Sequence, residues 1–118
     1  MWNEPTEKEL DEIPKFYHYE ANEVPIGDQI VCMHLFIGGF DWYIVEYDSV
    51  ERSFYCFANL NDDHNAEWGY TSFDELRALK AGFMEVDRDM HWTPKKVRDI
   101  PEIANLCRSL IDAADKRK

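Results

Sequence analysis

Apolar and polar positions change period several times along the chain, and each change marks an element. The opening segment is polar and acidic. Within it Thr6 and Glu9 stand at capping-box spacing after Pro5, and Leu10 and Ile13 supply a small apolar contact. This predicts a short helix over residues 6–13, stopped by Pro14. Residues 15–28, KFYHYEANEVPIGD, have no period and are punctuated by Pro25 and Gly27, as a loop is. The stretch QIVCMHLFI (29–37) is nearly all apolar and fits a central strand. Gly38-Gly39 then offers a turn, and DWYIVEYD (41–48), SFYCFANL (53–60) and AEWGYT (66–71) read as further strands, linked by turns at 48–52 and 61–65. Consecutive strands with links this short favour an antiparallel meander, because parallel neighbours need crossovers of about a dozen residues or more.

The period then becomes helical. Ser72 and Glu75 repeat the capping-box spacing, Phe73, Leu76 and Leu79 share a helical face, and Gly82 is a natural stop. The stretch EVDRDMHWTP (85–94) alternates with a period of two, which predicts an extended strand with Glu85, Asp87, Asp89 and His91 on one side. Asp99 and Pro101 mark a last helix start, and Ile103, Leu106, Cys107, Leu110, Ile111 and Ala114 follow at helical spacing. The basic ending KRK complements the negative end of the helix dipole. The expected architecture is α+β and a single domain: a lead-in over 1–28, a meander of four or more strands within 29–94, and an amphipathic C-terminal helix over 99–115 that docks through Ile103, Leu106, Leu110 and Ile111.

Composition changes this picture mainly through charge. A chain of 118 residues with 45% hydrophobic residues is long enough to bury roughly two thirds of its unfolded surface. No apolar run is long enough to span a bilayer, and the polar, acidic N-terminus does not look like a signal or transit peptide. Three cysteines without paired spacing fit reduced thiols and a cytoplasmic location. Residues 1–94 hold six Lys/Arg against twenty Asp/Glu, a net of −14, whereas residues 95–118 hold seven against four, a net of +3. So acidic a body repels phosphate backbones and anionic lipid, which argues against direct nucleic-acid or membrane binding and for a basic protein partner.

Three phrases, DWYIVEYD (41–48), WGYTSFDEL (68–76) and EVDRDMHWTP (85–94), resemble in order the blocks of the bacterial family called domain of unknown function 2958. The resemblance covers about residues 29–97. It carries no activity and no catalytic residue. It implies genomic company, since members are encoded on plasmids, integrative elements and phages, and hence a role in counter-defence.

Three kinds of site are open to these residues. The first is an acidic surface, with Asp62, Asp63, Glu85, Asp87 and Asp89, that binds the basic, nucleic-acid-facing surface of a host defence complex, as an anti-CRISPR or anti-restriction inhibitor would. Same-face neighbours on a strand stand about 6.5–7 Å apart, so Glu85, Asp87 and Asp89 cannot all ligate one ion, and the row reads as the wet side of a strand. The second is a zinc site built on Cys32 and His34, two apart on one strand face, with Cys56 on a neighbouring strand. Cys and His suit zinc, and such a site would make the protein a small metal-dependent hydrolase. The third is an adaptor in the maintenance or transfer of the mobile element. No G-x-S-x-G elbow and no phosphate-binding glycine loop is present.

Overall fold

The computed structural model describes residues 1–117. The first helix, α1 (Glu7–Asp11), forms where the capping box predicts it. Thr6 Oγ1 accepts from the Glu9 backbone N–H at 3.2 Å, and Glu9 Oε1 accepts from the Thr6 N–H at 3.0 Å. Residues 15–28 hold two short helical pieces rather than a plain loop: α2 (His18–Ala21) and a single 3₁₀ turn over Ile26–Asp28. The segment QIVCMHLFI divides into β1 (Ile30–Val31) and β2 (Met33–Ile37). Next come β3 (Phe40–Asp48), β4 (Ser53–Leu60), a 3₁₀ turn over Asp63–Asn65, β5 (Glu67–Ser72) and α3 (Phe73–Ala78).

The main sheet has five strands in the order β5-β4-β3-β2-β8, where β8 is Asp87–Arg88, and every pairing in it is antiparallel. Strands β2 to β5 are the predicted meander, and the fold class is α+β. Strand β2 is interior, paired with β3 and β8, and β3 is the middle strand: residues 42–47 of β3 are all buried, while β2 alternates. The two-residue link between Ile37 and Phe40 is closed by Gly38, whose φ of +55° suits a tight hairpin.

Alternation along the strands builds a core on each face of the sheet. Leu35, Ile37, Trp42, Ile44, Phe54 and Cys56 meet α1 through Leu10 and α3 through Phe73 and Leu76. On the opposite face Tyr43, Val45 and Phe57 meet the C-terminal segment through Val97, Ile100, Ile103 and Ile111. Between Ile44 and Glu46 the register on β4 advances by one residue (Cys56, then Tyr55) while β3 advances by two. This β-bulge leaves Val45 as the extra residue and turns Glu46 to the side of Tyr55.

Three expectations are corrected here. EVDRDMHWTP is not one extended strand: β7 (Met84–Glu85) forms a hairpin with β6 (Lys80–Ala81), β8 pairs with β2, and residues 90–91 turn. Fully buried Val86 breaks the run, and Gly82, at φ +64°, closes the β6–β7 hairpin instead of stopping a helix. After β9 (Lys95–Lys96), which pairs with β1, the C-terminal helix is not continuous over 99–115. It consists of α4 (Pro101–Ala104) and α5 (Arg108–Asp115), separated at Cys107, whose φ of −114° and ψ of 19° are not helical. The break shifts the phase of the apolar stripe. Ile103 and Ile111 stay buried, but Leu106 is 41% and Leu110 50% exposed and neither docks as predicted. Finally, α5 is held by Arg98, which donates to both carboxylate oxygens of Asp115 (2.9 and 3.1 Å) and to Asp28 at 2.9 Å. Among the described residues no helix is long and apolar enough to cross a membrane.

Candidate functional site

The C-terminal segment covers only part of its face of the sheet. Beyond it lies a cross-strand row that starts at the edge: Asp87 on β8 opposite Phe36 on β2, Phe36 opposite Asp41 on β3, and Asp41 opposite Asn59 on β4. Residues directly opposite one another project to the same side, so Asp41 and Asp87 flank Phe36 at about two strand spacings, roughly 10 Å. His34, two residues before Phe36, shares that side. Its Nε2 lies 2.8 Å from Asp41 Oδ1, and its Nδ1 lies 3.5 Å from Asp89 Oδ2. The imidazole stacks on Tyr43 with centroids 4.6 Å apart and planes 6° from parallel, and Trp92 and Phe36 stand 5.4 and 5.5 Å away. Asp89 is held in turn by the His91 backbone N–H, which donates to it at 3.0 Å. These groups border a cleft of about 510 Å³. A second cleft of about 400 Å³ shares Asp41 and adds Asp63 and Glu102, so the acidic surface continues along the sheet end.

Charge is sorted between the two faces by strand alternation. Asp87 faces the row, whereas its neighbour Arg88, opposite Leu35, reaches the other side and donates to Glu9 Oε2 at 2.7 Å. That bond holds the Glu9 carboxyl at about 2, well below the usual carboxylate range. Arg52 and Arg77 are likewise turned to Glu4, Glu7 and Asp74. Among the described residues neither Lys nor Arg forms an ion pair with Asp41, Asp87 or Asp89, although Arg88 and His91 also line the cleft; His34 is the side chain that contacts both Asp41 and Asp89. A neutral imidazole carries a single N–H and can donate to one of its two carboxylates, so only the doubly protonated ring donates to both. Among the described residues no Ser, Thr or Cys lines the His34 cleft.

Neither family models, nor curated proteins, nor solved structures gave a match to this chain.

Of the acidic residues singled out in the sequence, the structure brings Asp87 and Asp89 together and places Asp63 along the same surface. Glu85 instead accepts from the Met1 amino group at 2.6 Å. Asp62 caps the 3₁₀ turn, accepting from the His64 N–H and from Asn65 Nδ2. The acidic stretch is therefore not a uniformly solvated strand, since each of its carboxylates has a local donor or a histidine.

The zinc set is not assembled. Cys56 lies in the core of the opposite face and donates to Thr71 Oγ1, Cys32 sits at the β1–β2 break and donates to the Ile44 carbonyl, and His34 faces the acidic row. Burial pushes the Cys32 thiol up to about 12 and the Cys56 thiol up to about 11, the opposite of what a thiolate ligand requires. No three His, Cys, Asp or Glu side chains among the described residues are grouped to hold a metal ion. Asp41 was missed as a site residue because its role comes from a cross-strand neighbour. The one available signal was a charge near the start of an apolar strand, separated from the turn glycines Gly38-Gly39 by Phe40.

Proposed function

We propose that the protein is a non-enzymatic binding protein whose acidic sheet end captures a basic surface on a nucleic-acid-handling protein of the host cytoplasm and so inhibits it. The observation that carries this reading is the group of Asp41, Asp87 and Asp89 beside His34, with which neither Lys nor Arg among the described residues forms an ion pair, while Arg52, Arg77 and Arg88 pair with other carboxylates. Exposed carboxylates arranged in this way steer a cationic partner and fix its register. The resemblance to the mobile-element family supports a counter-defence setting, in which a basic nucleic-acid channel is a natural target.

Magnitude argues against imitation of a whole duplex. The molecule is 45 Å along its longest axis, over which double-stranded DNA carries about 26 charges. The chain has a net charge of −11, spread over all its sides. It competes for one patch of a channel rather than filling it.

The test compares proteins captured from host lysate by the parent chain and by the double variant Asp63→Lys/Asp87→Lys. The expected partner is retained by the parent, lost by the variant and displaced by added duplex DNA. Its association rate should fall as salt rises from about 50 to 500 mM, because exposed charges are screened beyond about 8–10 Å at physiological ionic strength. Equal capture by both chains, or a rate indifferent to salt, refutes the reading.

A further inference from the structure

Further along β3, five residues and about 16 Å from Asp41, the same face of the sheet carries a second row with a different chemistry. Glu46 stands opposite Tyr55 on β4, and Tyr55 opposite Tyr70 on β5. Tyr17, just before α2, and Tyr19, within it, close over this row. The four tyrosines with Glu46 and Glu20 border a cleft of about 210 Å³ that no Lys, Arg or His lines. The rings form walls at angles to one another rather than a flat stack. Tyr55 and Tyr70 have centroids 5.1 Å apart and planes at 52°, and Phe16 braces Tyr70 from behind at 5.2 Å and 54°.

The floor is the unusual part. Glu46 is 7% exposed and is the one buried charged side chain among the described residues. A buried carboxylate is ordinarily matched by a cation, yet among the described residues Glu46 has no ion-pair partner. Its oxygens accept only the backbone N–H groups of Tyr17 (3.3 Å) and Tyr19 (3.2 Å), both longer than the roughly 2.9–3.0 Å of a well-made N–H···O bond. It is on this face only because of the bulge at Val45, since regular pairing would have turned it into the other core. Burial pushes the Tyr19 and Tyr55 phenols up, and burial followed by a hydrogen bond with Tyr17 pushes the Tyr70 phenol up.

An anionic floor under angled electron-rich rings matches one class of ligand. We infer that the Glu46–tyrosine cleft is a binding site for a single methylated alkylammonium group, carried by a small quaternary ammonium compound or by a methylated lysine side chain. Ring faces attract a cation, and methyl groups lower its cost of leaving water while filling the cage. A guanidinium would need in-plane carboxylate pairing, and Glu46 has already given one position on each oxygen to the backbone. The site is independent of the acidic row around His34, so either reading can fail without the other.

The experiment is a titration of isotope-labelled full-length protein with choline, with a peptide bearing trimethyl-lysine, and with the uncharged tert-butyl analogue of choline, all at constant ionic strength. Saturable shifts at Tyr17, Tyr19 and Tyr70 with either cation, and none with the neutral analogue, are expected. The tighter of the two cations identifies the source. Tyr17→Ala and Tyr70→Ala remove rings that are 61% and 60% exposed, so both variants should stay folded and bind about threefold more weakly or worse. Glu46→Gln should abolish binding; because Glu46 also supports the Tyr17–Tyr19 backbone, the two tyrosine variants carry the test if it does not fold. Failure of both cations to saturate, or equal binding of the neutral analogue, overturns the inference.

Discussion

The break at Cys107 makes a sharp prediction about two neighbouring apolar residues. In one uninterrupted helix Ile103 and Leu106 would share a buried face and cost similar amounts to truncate. In the structure Ile103 is fully buried against the sheet face that carries Tyr43, Val45 and Phe57, while Leu106 is 41% exposed. Ile103→Ala removes buried methyl and methylene groups from a packed core and leaves a cavity, which should cost about 2–5 kcal/mol. Leu106→Ala removes a side chain that keeps much of its contact with water, and should cost less than about 1 kcal/mol. For a chain of this length each kcal/mol lowers the melting temperature by roughly 3–6 °C, so the first variant should melt about 10 °C or more below the parent and the second within a few degrees of it. Thermal unfolding followed by circular dichroism distinguishes the two, with urea titration to show that the slope, and hence the surface exposed on unfolding, is unchanged. Equal destabilisation would mean that the segment is a continuous helix docked on both residues. Negligible destabilisation by Ile103→Ala would mean that the segment is not docked at all.

Three further outcomes follow from local geometry. Gly27→Ala should destabilise the fold by a comparable amount, because its Cβ would sit 2.7 Å from Arg98 Nη2 and 2.9 Å from Ile111 Cγ2 and push α5 outward; a melting temperature equal to the parent's would contradict this close approach. Cys32 and Cys56 should resist alkylation at pH 8 until the protein unfolds. With thiols raised to about 12 and about 11 against an ordinary 9, their contribution to stability is complete below pH 9 and lost as pH rises toward those values, which alkaline unfolding of serine variants would detect. Glu9 has the opposite sign: its folded value of about 2 lies below the ordinary 4.5, so its contribution is present above pH 4.5 and lost as pH falls toward 2, and Glu9→Gln should flatten that part of the acid-unfolding profile.

What the sequence revealed and what it hid divide along the range of the interactions. The meander, both capping serine and threonine positions, and the turns at Gly38 and Arg52 depend on residues within a few positions of one another, and the local pattern of 41–72 was enough to place β3, β4 and β5 within a residue or so. The failures all involve a distant partner. The segment at His18–Ala21 is helical although no side chain nearby caps it, because Glu46, twenty-seven positions after Tyr19, accepts the backbone N–H groups of Tyr17 and Tyr19 at its start. The apolar spacing of 103–114 is helical on paper, but the contact of α5 with Gly27 and the Arg98–Asp115 bonds fix a second axis after Cys107. The alternation of 85–92 was genuine over Asp87–Arg88 alone, where β2 offers a partner. The acidic row was half legible: Asp87 and Asp89 stood out as charges in sequence, whereas Asp41 joins them only through the pairing of three strands.

The bulge at Val45 also determines how this chain tolerates changes in length. In most strands a substitution is judged by size and polarity, and insertions or deletions are accommodated in the nearest turn. Here one residue more than the partner strand fixes which way everything beyond it points. Adding a residue to β4 opposite Val45 would restore regular pairing while sending Glu46 toward the aromatic core of Tyr47 and Phe54, whereas deleting Val45 would restore it with Glu46 still opposite Tyr55. Chains that keep the glutamate on this face can therefore lose the extra residue of β3 but cannot gain one opposite it in β4, whatever lengths their turns adopt. That gives a criterion for recognising such chains that depends on spacing rather than on identity.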